Sequence, residues 1–418
     1  WRGEAASFRS DVYSLGALLY ALCAGHPPHA TQSLVELSAR AQGEDAAPLV
    51  SVAPAVDPRF GAVVDRCLRR EPGERYATAN DVRGALAELT PEARGNVIPE
   101  GNPYRGLSVF EAAHRGLFFG RDSQIRGVLE RLRTDSFVLV AGDSGVGKSS
   151  LCRAGVLPRL GDWFGRERAW SAVAMVPGSH PVTALAAALA PQLGLAEYEI
   201  AGMIRTEPSA FARELRRRQG DKAGLLIFVD QLEELVTLAE PAEAAAVTEL
   251  LGWLSAPAPS IRMLATVRGD FLSRLASLPD IGEAVLRSLY FLRPLARERI
   301  REAIVGPAAA KGVAFESEGL VETLVDSTVN AEGGLPLLQF ALAELWEERD
   351  PTTKTITAAA LRSVGGVSGA LTRHADEVLA GLDHESGLIA RRILLSLVAA
   401  SGTRARRSEA ELTAGEAR

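Results

Sequence analysis

Short apolar runs rich in β-branched residues alternate with helical periodicity through the middle of the chain. FVLVAG (137–142), WSAVAMV (170–176), LLIFVD (225–230), IRMLATV (261–267) and LYFLRPL (289–295) read as strands. Strands alternating with helices predict a parallel sheet covered on both faces. On either side of this block the apolar period is helical: residues 1–90, punctuated by GHPPHA and EPGER, and residues from 296 onward, broken at GGLP (333–336). Near the start, Val12, Leu15, Leu19, Leu22 and Cys23 follow i, i+3, i+4 spacing and Leu18 thickens the same face, so this helix is expected inside a domain core. PEARGNVIPEGN (91–102) concentrates Pro, Gly and Asn and reads as a linker.

Composition narrows the class. The 418 residues are 47% apolar and 23% charged, enough for roughly two to four globular domains. A net charge of -6, with Arg-rich stretches such as RELRRRQGDK interleaved with acids, argues against nucleic acid as a partner. Cys23, Cys67 and Cys152 lie far apart without CxxC spacing, which points to neither disulfides nor zinc and suits a reducing cytoplasm. His26 and His29, in a Pro-rich loop, lack a second ligand pair, and Cys152 is expected as a packed small residue. The longest apolar run, VTALAAALA (182–190), stops at Pro191, short of the roughly 20 residues a membrane span needs. No signal peptide is expected. The chain opens on Trp1 and its first methionine is Met175, which suggests a fragment of a longer product.

VLVAGDSGVGKSSL carries the most specific chemistry. It fits G-x-x-x-x-G-K-[ST] directly after a strand and at the start of a helical stretch. In such a loop, here Gly142, Asp143, Ser144, Gly145, Val146, Gly147, Lys148, Ser149 and Ser150, successive backbone N–H groups wrap the phosphates of ATP and the helix turns its positive end toward them. Lys148 would reach the β and γ phosphates, and the Ser149 hydroxyl would be a Mg²⁺ ligand. LLIFVDQLEEL supplies the acids: Asp230, at a strand end, is the second expected Mg²⁺ ligand, and Glu233 or Glu234 could orient the attacking water. Equally, the two glutamates could simply open the next helix. In MLATVRGDFL, Arg268 ends a strand where open α/β sheets bind ligands and could act on the γ-phosphate, or it could be a surface arginine paired to Asp270.

With these motifs in hand, residues 103 to about 415 resemble a STAND-class P-loop ATPase of the novel bacterial subgroup. NPYRGLSVFE and FFGRDSQI ahead of the loop, DQLEEL, TVRGDF and GGLPLLQFALAELW carry the likeness. It implies an α/β P-loop NTPase core (103–295), a helical lid (296–350) and the start of a winged helix (351–418). It also implies that Gly120 and Arg121 help seat adenine and ribose, and that Pro336 of the lid contacts the base or ribose. Asp122 stands where a glutamate usually follows the Gly-Arg pair. Members of this family are thought to switch between compact and open, assembling forms with nucleotide state. Protein partners, nucleotide-dependent homo-oligomers and a downstream sensor would follow from that, though nothing here shows such a sensor.

Residues 1–90 resemble the last third of a bacterial serine/threonine protein kinase, through RSDVYSLGALLYALCAGHPPHA and VVDRCLRREPGERYATANDVRGALAEL. By that likeness Asp11 matches a buried bracing aspartate, and Arg75 an arginine whose expected partner, the glutamate of A-P-E, is missing here. The all-α piece has no Gly-rich loop, strand lysine, H-R-D or D-F-G ahead of Asp11, so it is not expected to transfer phosphate, although a parent protein could. The expected function is an ATP-binding, slowly hydrolysing switch fused to a kinase domain. The alternative is a scaffold that keeps ATP or ADP as a structural cofactor.

Overall fold

A computed structural model describes residues 7–398, except 32, 55, 88–97, 165–167, 221–222 and 332, together with 407 and 412. The chain divides into two compact units, 1–96 and 97–418. Of the stretch expected to be a linker, 91–97 lies outside the described residues.

The first unit is helical: Phe8–Ala24, Leu34–Gly43, Leu49–Val52, Pro58–Cys67 and Ala79–Ala87. Two small clusters hold it, Val12 with Val63, Cys67 and Val82, and Tyr20 with Leu49, Val64 and Leu68. The opening helix therefore buries Val12, as expected, with Leu19 packed partly against the second cluster, but its other buried positions are Gly16 and Tyr20. Leu15, Leu18 and Leu22 are 36%, 58% and 73% exposed, and Cys23 is exposed too. The helix is apolar around most of its circumference, so periodicity marks a buried helix without selecting the face that packs. Asp11 is exposed. Arg75 has other partners: it donates from Nε to Arg69 O (2.6 Å), from Nη1 to Arg9 O (3.2 Å) and from Nη2 to Arg70 O (3.0 Å), and lies over the Tyr13 ring.

The second unit is built on a five-stranded, wholly parallel sheet. Its strands are β1 (Phe137–Gly142), β2 (Ala169–Met175), β3 (Ala223–Val229), β4 (Ile261–Arg268) and β5 (Leu289–Phe291), in spatial order β2-β3-β4-β1-β5. All five expected strands are in this sheet. Period-2 alternation divides the central strands between two cores. Leu139, Ala141, Ile227, Val229, Met263 and Ala265 face one side; Val138, Val140, Leu226, Phe228 and Leu264 face the other. Because β4 lies between β1 and β3, the carboxyl ends of three strands meet beside the loop that follows β1, the place where open α/β sheets bind ligands.

Beyond β5 the chain is almost entirely helical: Arg297–Ala310, Glu318–Val329, Gly334–Glu347, Ala358–Val364, Gly366–Ala380 and His384–Ser396. One apolar cluster joins Ile300, Ile304, Leu324, Leu338 and Leu342 to Ile356, Ala360, Val364, Val367 and Ala370. This core thus runs across residue 350, where the lid was expected to end, because Ile356 and the helices after it turn their apolar faces back onto Gly334–Glu347. From 399 on, where a wing would lie, only 407 and 412 are described. Tyr104, far earlier in sequence, is buried in the same cluster and donates from Oη to Ile304 O. Tyr104→Phe leaves that tie unmade inside the core and should cost about 1–3 kcal/mol, read as a lower melting temperature for this unit.

Among the described residues, no helix is long and apolar enough to cross a membrane.

Candidate functional site

The loop after β1 folds tightly because glycine occupies its left-handed positions. Gly145 has φ +78°, and a Cβ there would lie 2.8 Å from Pro336 Cγ, so the helix Gly334–Glu347 rests on the loop through this residue. Behind the loop, Arg121 is buried and its guanidinium is consumed by backbone: Nη2 donates to Val146 O (2.7 Å) and Nη1 to Arg293 O (2.9 Å). Burial pulls this arginine down to about 10. It braces the loop against the chain leaving β5, a different contact set from the base and ribose contacts implied for it. Gly120, just before it, has φ +85° and no space for a side chain, since a Cβ would sit 2.5 Å from Arg299 O.

In front of the loop the polar groups converge. Lys148 Nζ donates to Gly142 O (2.8 Å) and Asp143 O (2.7 Å). Burial holds its ammonium below the ordinary range, opposed by the charge of Glu233. Ser149 Oγ donates to Asp230 Oδ1 at 2.8 Å, which brings the two expected metal ligands together. Asp230 is 2% exposed and also accepts from Thr266 Oγ1 (2.6 Å) and, on Oδ2, from Arg153 Nε (3.0 Å). Arg153 reaches on to Glu111 (3.3 Å). A hydroxyl and one carboxylate, both hard oxygen donors beside a phosphate loop, fit Mg²⁺, which usually keeps several waters and takes few protein ligands.

The two glutamates separate sharply. After Asp230 the backbone passes through Gln231 at φ +57°, a strained value for a residue with a side chain, fixed by Gln231 N donating to Thr266 Oγ1 (2.9 Å). Beyond this turn Glu233 enters the cleft and accepts from Arg268 N at 3.3 Å. Glu234 does not line the cleft; its carboxylate accepts from Gly178 N at 3.0 Å, beyond the end of β2. Burial raises the Glu233 pKa above the ordinary carboxylate range. Arg268 lines the cleft, but its guanidinium forms a two-point pair with Asp270 (2.7 and 3.1 Å), the surface arrangement that was one of its two expected roles.

These groups form one end of a cleft of about 310 Å³. The other end is apolar, walled by Leu107, Val109, Phe118, Phe119 and Leu295, while Leu335 packs beside Gly147 of the loop. Arg121, Ser144, Gly145, Gly147, Ser150 and Pro336 also line it. Phe110 N donates to Ser150 Oγ (3.2 Å), pinning the 106–110 segment along the loop. Sequence reasoning did not assign Thr266, Arg153, Gln231, the 106–110 wall or Gln339 to the site. Thr266 carried a usable signal, a polar residue within a buried apolar strand. The 106–110 wall is brought in only by tertiary packing. Cys152, under the loop helix, is fully buried, and burial pushes its thiol well above the ordinary value.

A parallel sheet whose first strand ends in this loop, with lysine, hydroxyl and strand-end aspartate converging in front of it, defines a P-loop nucleotide-binding NTPase fold. More particularly, residues 103–418 match the model of novel STAND NTPase 1, and the chain belongs to that family. Its N-terminal part is similar to curated bacterial kinases: 40% identical over 88 residues to serine/threonine-protein kinase PknB of Mycolicibacterium smegmatis, and 36% identical over 88 residues to PknB of Mycobacterium leprae. Each match covers 21% of this chain and 14% of the relative, so the chain spans only a small part of these proteins. Among solved structures, the Orc1 protein of Aeropyrum pernix in complex with DNA is similar over 67% of this chain and 73% of its own (TM-score 0.45, 17% identity). The Walker-type ATPase PABY2304 of Pyrococcus abyssi is similar over 74% and 91% (TM-score 0.43, 16% identity).

Proposed function

We propose that the second unit binds Mg-ATP in this cleft, hydrolyses it slowly, and uses the difference between ATP and ADP to reposition its helical lid. The observation that carries the reading is the direct seat of Pro336, on the lid helix, against Gly145 of the phosphate loop, with Glu233 in the same cleft. A γ-phosphate arriving between loop and lid must rearrange that contact, which is the differential interaction a switch requires.

The residues divide the work. Backbone N–H groups of residues 143–149 and the Lys148 ammonium hold the phosphates. Ser149 and Asp230 would hold Mg²⁺, which neutralises phosphate charge when bound. Thr266 and Arg153 fix the Asp230 carboxylate. Glu233, buried and facing the cleft, orients the attacking water and accepts its proton; Glu234 is structural. Arg268 reaches the γ-phosphate only by leaving Asp270. In a longer parent, the kinase-like unit would be the output of the switch, with protein partners and nucleotide-driven self-association as its further consequences; the 88-residue similarity to PknB supports this arrangement.

Turnover is the test. The chain should release phosphate from ATP with Mg²⁺ present and lose that activity when EDTA removes the metal. Nucleotide that copurifies tightly and is never turned over would replace this reading with that of a scaffold using ATP or ADP as a structural cofactor.

A further inference from the structure

We infer that Gln339 reads the base and makes the cleft selective for adenine over guanine, an inference that rests on the nucleotide-site reading above. Gln339 lies one helical turn beyond Pro336, so both side chains project from one face of the lid helix into the cleft. Pro336 touches the phosphate loop, whereas the stretch of helix past Gln339 packs on the opposite wall: a Cβ at Gly106 would lie 4.0 Å from Phe340 and 3.9 Å from Ala343. Gln339 is therefore at the end of the cleft away from Lys148, among the apolar side chains that would cover a planar ring. Its Oε1 is buried and has no hydrogen-bond partner.

An unpaired buried acceptor is costly unless a ligand satisfies it. A carboxamide offers one acceptor beside N–H donors. Adenine presents the complement, an N6 amino donor next to a ring-nitrogen acceptor; guanine and hypoxanthine carry an O6 acceptor in place of that donor. Oε1 accepts from N6 and the amide nitrogen donates to N7. Guanine and hypoxanthine present acceptors at both O6 and N7, so whichever way the carboxamide turns, its oxygen stays unpaired. Gln231, the other amide in the cleft, sits beside Glu233 and Thr266 at the phosphate end.

The experiment titrates the intact chain with ATP, GTP and ITP in Mg²⁺ buffer and compares dissociation constants within each variant. The wild-type chain should prefer ATP to both GTP and ITP by at least about tenfold, the discrimination a two-point base contact supplies. Gln339→Leu, close in volume and unable to hydrogen-bond, should compress both ratios to about threefold or less while triphosphate binding persists. Gln339→Arg, whose fork can donate to both O6 and N7 of guanine, should move the preference toward GTP and provides a second test if the leucine variant folds poorly. Unchanged ratios in both variants, or a wild-type chain indifferent to the base, would overturn the inference while leaving the nucleotide site intact. A wild-type chain that binds none of the three would overturn the site reading and this inference with it.

Discussion

Lys148→Ala should weaken ATP binding by at least about thirtyfold, measured by calorimetric titration. The ammonium is half-buried at the mouth of the loop, within 2.8 Å of two loop carbonyls, and becomes poorly screened once phosphates close over it. Truncating one partner of a buried charge pair typically costs 2–5 kcal/mol, and each 1.4 kcal/mol is tenfold in affinity, so about thirtyfold is the low end of the range. Arginine is no substitute, because its wide planar fork does not fit where a compact ammonium does. An ATP affinity equal to that of the wild-type chain would remove the phosphate loop from the account.

Glu233→Gln should lower turnover by about a hundredfold or more while ATP still binds, the usual range for removing a general base. Glu234→Gln should leave turnover near the wild-type value, since that carboxylate is spent on Gly178 N. The pH dependence has a definite sign. Glu233 acts only when ionised, and burial raises its pKa, so turnover should fall on acidification while the medium is still above the ordinary glutamate range, and this limb should vanish in Glu233→Gln. Stability moves the other way. A carboxyl whose folded-state pKa exceeds its unfolded value contributes stability below the unfolded value and loses it as pH rises through the folded one. Glu233→Gln should therefore melt higher than wild type at pH 7 and show no such gain at pH 4. A variant that melts lower at pH 7 and retains full turnover would contradict both halves.

The phosphate loop was legible in sequence because its chemistry needs contiguous residues, and the five strands because each is a short apolar run set between helical stretches. Strand order was not: nothing local in IRMLATV says that it inserts between β1 and β3, yet that insertion puts Thr266 on Asp230. Glu233 and Glu234 are equivalent in sequence, and only the left-handed Gln231 and its bond to Thr266 decide which one enters the cleft. Arg121 shows the limit of a family motif. Its position in the site was legible, but its partners are loop and post-β5 carbonyls. The 106–110 wall and Gln339 are separated by more than two hundred residues of sequence, so no local pattern could join them. Leu15, Leu18 and Leu22 mark a different ambiguity, a helix apolar on two sides whose packed face is chosen by Val12, Gly16 and Tyr20.

The most direct measurement of the proposed switch is amide hydrogen exchange in the helix Gly334–Glu347, followed in the Glu233→Gln chain with saturating Mg-ATP and with saturating ADP. Because Pro336 rests on the loop that holds the phosphates, protection of the first turns of this helix should differ between the two nucleotides, while the buried strand β1 exchanges alike in both. Identical lid protection with ATP and ADP, both shown to be bound, would contradict the account.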